Sequence, residues 1–186
     1  MNGKRWDRFW KYGNVGVTPT RRNIFKEFKK IYLPIDAKIL DVGCGSGTLA
    51  SFWEKQGYNV IGLDISDKAL KITGTKDVYR IKADVTKWLP FKNDTFDLVY
   101  SDGLLEHFVN PKPILQEIFR VSKTYVLTIV PRSTLYNVIH YILFRLPKEY
   151  KKKDFNWIGL HKEFNPSFSR FKKIKYGVLI ILCKKQ

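Results

Sequence analysis

The sequence predicts an α/β fold in which helices cover both faces of a doubly wound, mainly parallel sheet. Two observations lead to this fold class. Short apolar segments rich in β-branched residues alternate with segments of helical periodicity between residues 38 and 131. A loop with three glycines at alternate positions, residues 43–47, directly follows the first apolar segment. The length of 186 residues favours a single domain.

The first 37 residues are predicted to be helical. Aromatic residues recur at helical spacing over Trp6–Trp10. A second helix is predicted to begin at Thr20 as its cap, to run to about Tyr32, and to end before Pro34.

Five strands and four helices are predicted to alternate in the middle of the chain. The strands span residues 38–42, 59–63, 78–82, 96–100 and 124–130, and the helices span 48–56, 66–73, 104–109 and 114–121. Ser66 is predicted to cap the second of these helices. Ligands of such sheets bind beyond the carboxyl ends of the strands. The ends of the first four strands carry Asp41, Asp64, Asp84 and Ser101, so we predict a binding site there.

The rest of the chain departs from this alternation. A helix capped by Ser133 is predicted over Leu135–Arg145, followed by a basic, aromatic loop over residues 148–168. The helix that should precede the sixth strand is predicted to be reduced to about Asn165–Phe168. Residues 171–184 are predicted to form two strands that turn at Tyr176-Gly177. The sheet would then have seven strands and a C-terminal antiparallel hairpin.

The excess of positive over negative charge lies almost entirely at the two ends of the chain. The net charge is +17, from 34 basic and 17 acidic residues. Residues 1–40 contribute 10 − 3 = +7, residues 41–144 contribute 12 − 11 = +1, and residues 145–186 contribute 12 − 3 = +9. The excess is consistent with general solubility. It is equally consistent with an anionic partner, such as RNA or an anionic membrane surface.

Several classes of protein are not indicated. No segment reaches the roughly 18 apolar residues of a transmembrane helix, and the charged N-terminus lacks the apolar stretch of a secretory signal. Cys44 and Cys183 have no zinc-ligand spacing, so no metal site is predicted. We therefore expect a cytoplasmic protein.

The residues around the glycine loop favour a nucleoside without phosphates. A P-loop requires a lysine after its last glycine, where this chain has Thr48-Leu49. A dinucleotide loop has its third glycine one position later, and Asp41 would face its pyrophosphate. Asp64 can accept hydrogen bonds from both ribose hydroxyls, and Asp84 can reach the exocyclic amine of a base between Ile65 and Val85.

Four segments resemble a known family. They are Asp41-Val42-Gly43-Cys44-Gly45-Ser46-Gly47, Gly62-Leu63-Asp64-Ile65-Ser66, Ala83-Asp84-Val85 and residues 89–99. Together they resemble the class I S-adenosylmethionine-dependent methyltransferases, which have a Rossmann-like fold. Glu106-His107 is similar to the small-molecule branch of that family. The resemblance covers about residues 37–131.

The resemblance implies S-adenosyl-L-methionine as the cofactor and assigns roles to the residues named above. Asp41 and the loop residues Gly43, Cys44, Gly45 and Gly47 would lie along the methionine part. Asp64 would hold the ribose. The adenine would be held by Asp84, Ile65 and Val85, and Ser101 would lie beside the sulfonium. It also implies an N-terminal lid (1–37), a cofactor-binding core (38–131), a substrate cap (132–168) and the terminal hairpin (169–186).

The implied activity is methyl transfer to a small-molecule acceptor that is anionic, aromatic or lipid-like. His107 is the leading candidate for a general base, with Asp102 and Glu106 as alternatives. His140 and His161 are expected in the cap or at the surface. Two other functions stay open: methylation of RNA or protein through the basic flanks, and cofactor binding without catalysis.

Overall fold

The computed structural model describes residues 3–10, 19–72, 78–131, 156–164, 170–174 and 178–185. The predicted helix over Leu135–Arg145, its Ser133 cap and His140 lie outside these ranges, as does the predicted turn at Tyr176-Gly177.

The predicted seven-stranded, mainly parallel sheet is confirmed. Its strands are β1 (Lys38–Val42), β2 (Asn59–Asp64), β3 (Tyr79–Lys82), β4 (Phe96–Asp102), β5 (Ser122–Pro131), β6 (Arg170–Ile174) and β7 (Val178–Lys184). They lie in the order β3-β2-β1-β4-β5-β7-β6. The first five are parallel, and β7 runs antiparallel to both β5 and β6.

The described helices are α1 (Gly3–Trp10), α2 (Pro19–Phe28), α3 (Thr48–Glu54), α4 (Asp67–Lys71), α5 (Lys112–Val121) and α6 (Trp157–Phe164). None of these helices has the length and apolar character to span a bilayer. The helix predicted over residues 104–109 is only a 3-10 turn, Leu105–His107, because Phe108 already has extended backbone angles (φ −115°, ψ 138°).

The apolar core lies on both faces of the sheet. Alternate residues of one strand enter opposite clusters: Leu98 and Tyr100 pack with α2 and α3, whereas Val99 packs with α5 and α6. Successive side chains of a strand point to opposite faces. This packing confirms the expectation that helices cover both faces.

Helix α6, Trp157–Phe164, corrects the prediction of a loop over residues 148–168. The Asn156 side chain accepts a hydrogen bond from Gly159 N (2.9 Å) and thereby caps the start of this helix. The reduced helix predicted at Asn165–Phe168 lies outside the described residues. His161 was expected in the cap or at the surface; it lies within the predicted cap segment, on α6, but it is fully buried.

The buried imidazole of His161 joins α6 to the sheet. Its Nδ1 lies 2.6 Å from the Trp157 carbonyl oxygen, which can only accept, so Nδ1 carries the proton. Its Nε2 then accepts a hydrogen bond from Thr128 Oγ1 on β5 at 2.7 Å. Burial lowers the pKa of His161 from 6.5 to about 4.

We predict that His161 makes the stability of the protein fall in mild acid. Between about pH 6.5 and pH 4 the unfolded chain protonates this histidine, whereas the folded protein does not. The free energy of unfolding should therefore fall by up to about 3 kcal/mol over that range on account of this group. Urea denaturation at several pH values measures it. His161→Gln should show a shallower pH dependence, and Lys162→Gln, at the exposed next position, should match the wild type. Equal slopes in all three proteins would contradict the assignment.

Candidate active site

Hydrogen bonds from backbone N–H groups of the glycine loop hold it against the end of β2. Three successive N–H groups donate to that strand: Gly43 N and Cys44 N to the Leu63 carbonyl (2.7 and 2.9 Å), and Gly45 N to Asp64 Oδ2 (2.9 Å). A phosphate-binding loop directs such N–H groups at its ligand. These three are already bonded within the protein and are therefore not free to bind a phosphate.

Asp64 is the link between the glycine loop and the loop after β2. Besides Gly45 N, its carboxylate accepts Ser66 N at 2.9 Å through Oδ1. The residue is buried, and this burial raises the pKa of Asp64 above its usual value, although the backbone hydrogen bonds lower it in part.

Asp41, at the end of β1, points toward the α2 and α3 side of the sheet. Its Oδ2 accepts a 2.7 Å hydrogen bond from the hydroxyl of Tyr100, its register partner on β4. Both residues are buried, and burial with the nearby Asp41 charge raises the pKa of Tyr100 well above its usual value. This hydrogen bond thus ties the Asp41 carboxylate to β4 near the carboxyl end of β1.

Two glycines of the loop leave room for side chains from other elements. Gly45 has φ +52°, and a Cβ there would lie 2.5 Å from Trp10 Cζ2 of α1. Gly43 has φ +76°, and a Cβ there would lie 2.9 Å from Leu104 Cδ1. Only glycine meets both the left-handed backbone angle and this close approach.

The side chain of Cys44 points toward β2. Its Sγ faces Gly62 of β2, where a Cβ would lie 2.9 Å from the sulfur. Burial, followed by the charges of Asp41 and Asp64, raises the pKa of Cys44 well above that of a free thiol. The thiol is therefore inert at neutral pH, and only the backbone of Cys44 is positioned toward the predicted site.

Helix α1 lies on the same residues that were predicted to bind the cofactor. Trp10 covers Gly45, and Gly3 lies against Ile65, where a Cβ would be 3.0 Å from the carbonyl oxygen. Asp7 accepts hydrogen bonds from Ser66 Oγ (2.6 Å) and Lys68 N (3.1 Å), at the start of α4. These hydrogen bonds lower the pKa of Asp7 below its usual value.

The predicted adenine residues follow β3. Asp84 Oδ1 accepts hydrogen bonds from Thr86 N (2.9 Å) and Thr86 Oγ1 (2.7 Å), which closes a turn after the strand. Val85 is buried, and Ile65 is half-buried at the end of the neighbouring strand β2.

The acceptor-side candidates lie where β4 passes into the 3-10 turn. Ser101 and His107 are buried, and the His107 ring stands edge-on to Trp6 of α1, with centroids 4.8 Å apart. Burial, then the charge of Asp102, raises the pKa of Glu106 to about 8. Within the described residues, no group of three or more His, Cys, Asp or Glu side chains has the arrangement of a metal site.

Several residues of the site were missed by sequence reasoning. Tyr100, Gly62, Asp7 and Trp10 all contact a predicted site residue, yet none was assigned a role. Tyr100 directly precedes Ser101 on β4, and its pairing with Asp41 follows from the strand register. Nothing in the sequence indicates which loop the first helix contacts.

The strand order, the glycine loop after β1 and the acids that end β1 and β2 define the class I methyltransferase architecture. Residues 40–128 match the sequence profile of the family described as "Methyltransferase domain". This match spans a little under half of the chain.

Named relatives agree with this assignment. The chain is 34% identical over 154 residues to a ubiquinone biosynthesis O-methyltransferase of Nitrosomonas europaea, covering 73% of this chain and 64% of that protein. It is 35% identical over 126 residues to the protein of the same name from Dechloromonas aromatica, covering 60% of this chain and 54% of that protein. The chain thus spans less than two thirds of the length of these relatives.

Solved structures show the same fold. Magnesium protoporphyrin IX methyltransferase of Synechocystis PCC 6803, solved with bound SAH, is similar with a TM-score of 0.68 at 17% identity, over 98% of this chain and 94% of that one. An S-adenosylmethionine-dependent methyltransferase of Mesorhizobium loti also has a TM-score of 0.68, at 14% identity over 88% and 96% of the two chains.

We predict that Gly45→Ala displaces Trp10. An alanine must adopt the left-handed backbone angle, which costs about 1–2 kcal/mol, and its Cβ must also push the indole away. Gly57→Ala is the matched control, since Gly57 has φ +87° but no atom within 4 Å of a Cβ. Urea denaturation should show a larger loss of stability for Gly45→Ala than for Gly57→Ala. This additional loss of stability in Gly45→Ala should disappear when Trp10 is also replaced by alanine. An additional loss that persists without the indole would mean that the Trp10 side chain does not lie against Gly45.

Proposed function

We propose that this protein is an S-adenosylmethionine-dependent methyltransferase that acts on a small-molecule acceptor. The observation that carries the proposal is the bonding of the glycine loop: the N–H groups of its first three residues are bonded to Leu63 and Asp64 of β2. Such a loop suits a cationic nucleoside without phosphates. The family match over residues 40–128 and the O-methyltransferase names of the relatives support the same activity.

The residues present fit this cofactor. A carboxylate has about four acceptor positions, and the two backbone hydrogen bonds of Asp64 leave others for the two ribose hydroxyls. The Asp41 carboxylate, near the carboxyl end of β1, suits the positively charged methionine end. Gly43, Cys44, Gly45 and Gly47 would border that end with backbone. Ile65, Asp84 and Val85 would hold the adenine, and Ser101 would lie beside the sulfonium.

When bound, S-adenosylmethionine supplies an activated methyl group on a sulfonium. The remaining tasks of the protein are alignment, exclusion of water and removal of a proton from the acceptor. His107, Asp102 and Glu106 are the candidates for that last task, because all three lie where β4 ends.

Helix α1 fits the role of a lid. Its contacts with Gly45, Ile65 and Ser66 place it over the residues proposed to hold the nucleoside. We assign residues 1–37 to this lid, 38–131 to the cofactor-binding core, 132–168 to a substrate cap and 169–186 to the terminal hairpin.

We predict that S-adenosylhomocysteine, the demethylated product, stabilises the protein. A ligand that binds only the folded state at 100 times its Kd adds about 2.7 kcal/mol, which raises the Tm. Asp64→Ala should remove most of this shift, because it removes the ribose acceptor and releases Gly45 N. Trp10→Ala should reduce the affinity less, through loss of the lid. Asp67→Ala, an exposed acid on α4, is the control and should keep the full shift. Calorimetric titration measures the affinities; an undiminished shift in Asp64→Ala would remove that residue from the cofactor site.

The basic flanks support a second candidate for the acceptor. Arg22, Lys26, Lys29 and Lys30 are exposed on α2 and the turn after it, where an anionic polymer or membrane surface can reach them. RNA or protein is therefore the alternative to a small-molecule acceptor. A cytoplasmic location would suit any of these acceptors.

We predict that the protein transfers a radiolabelled methyl group from S-adenosylmethionine into a small-molecule fraction of a cell extract. The extract is separated into small molecules, RNA, protein and lipid after the reaction. Label in RNA or protein would favour the second candidate. If S-adenosylhomocysteine binds but no fraction takes up label, the domain binds the cofactor without catalysis.

A further inference from the structure

One of the two carboxyl oxygens of Glu106 makes no hydrogen bond that holds the fold together. Its Oε2 is shielded from solvent and accepts no hydrogen bond from any described residue. A buried carboxyl oxygen without a partner costs stability, so it requires an explanation. The cost is explained if the oxygen is reserved for a ligand.

A second polar atom on the same segment is in the same condition. Ser101 is buried at 1% exposure, and its Oγ has no hydrogen-bond partner among the described residues. Ser101 lies near the end of β4, and Glu106 lies five positions later in the 3-10 turn. Gly103 lies between them with φ +67°, and a Cβ there would be 3.6 Å from Glu106 Oε1. Gly103 thus turns the backbone between the two residues, at the end of β4.

We propose that Glu106 is the general base of this protein and that its acceptor is a hydroxyl compound, methylated on oxygen. The proposal rests on the proposed function, since it requires a methyl donor bound at the ends of β1 and β2. Glu106 Oε2 binds the acceptor hydroxyl, and Ser101 Oγ is the second polar contact for it. His107, the leading candidate from the sequence, instead packs against Trp6.

The reaction balances with these groups alone. The acceptor oxygen forms its bond to the methyl carbon as the carbon–sulfur bond of the donor breaks, and sulfur keeps the bonding electron pair. The hydroxyl proton moves to the Glu106 carboxylate and then passes to water. A neutral amine is nucleophilic before it loses a proton, whereas a hydroxyl oxygen is a weak nucleophile until its proton is removed, so a carboxylate base is most useful for a hydroxyl.

The surroundings of Glu106 suit a base that works near neutral pH. Burial raises the pKa of its carboxyl to about 8, and the charge of Asp102 on β4 adds to the effect. His107, at the next position, is the adjoining titratable group. A base with a pKa near the working pH combines a sufficient ionised fraction with a strong tendency to take the proton.

The first test needs no acceptor. Infrared spectra of the whole protein, recorded from about pH 6 to pH 9, should show the carbonyl stretch of a protonated carboxyl that disappears with a midpoint near 8. An ordinary glutamate loses this band near pH 4.3. The band should be absent in Glu106→Gln, unchanged in His107→Gln, and shifted to a lower midpoint in Asp102→Asn. Absence of the band in the wild type above about pH 6 would overturn the proposal without any variant.

The second test uses the extract fraction that accepts the labelled methyl group. The wild-type rate should rise with pH through a midpoint near 8. Glu106→Gln should reduce the rate by about 10²–10⁴-fold and abolish this rise, while its affinity for S-adenosylhomocysteine is retained. If Glu106→Gln does not fold, the same measurements are made on Glu106→Asp. A rate within about threefold of the wild type, or label on a nitrogen atom, would refute the assignment. Failure of S-adenosylhomocysteine to bind the wild type would instead refute the proposed function, and the infrared result would still stand.

Discussion

The site depends on one arrangement: the end of β2 captures the glycine loop that follows β1. The Leu63 carbonyl accepts two successive N–H groups of that loop, and the Asp64 carboxylate accepts the third. Asp64 also accepts Ser66 N, so one buried acid fixes both loops at the edge of the sheet. Because these hydrogen bonds are internal, the three N–H groups are not free to bind a phosphate. This supports the proposed nucleoside ligand without phosphates.

Helix α1 extends this arrangement. Asp7 accepts a hydrogen bond from Ser66, which also caps α4 through its Oγ, so α1, the proposed lid, is attached to the loop that Asp64 fixes. Trp10 and Trp6 then reach the glycine loop and His107. The same short helix therefore contacts the proposed cofactor side and the proposed acceptor side, which would link closure of the lid to the exclusion of water from both.

The polar groups buried near the sheet divide into two kinds. Asp41 with Tyr100, and His161 with Thr128, are paired across neighbouring elements and hold those elements in place. Ser101 Oγ and Glu106 Oε2 have no such partners among the described residues. Pairing is the ordinary condition of buried polar atoms. Trp53 Nε1 on α3 is also buried without a hydrogen-bond partner in the described part of the chain, but only Ser101 and Glu106 of these three residues lie together at the end of β4, where the acceptor is proposed to bind.

The sequence by itself determined the sheet, the glycine loop and the residues at the strand ends. Strand periodicity and glycine spacing are local properties, so β1 was predicted with its observed bounds and Ser66 was predicted as the cap of α4. The tertiary structure alone decided how α1 packs, that His161 is buried, and that residues 157–164 form a helix. These depend on contacts between residues far apart in the chain, such as Thr128 with His161 or Asp7 with Ser66. The local sequence pattern carries no information about such contacts, because it is the same whether a polar or aromatic side chain faces water or a distant residue.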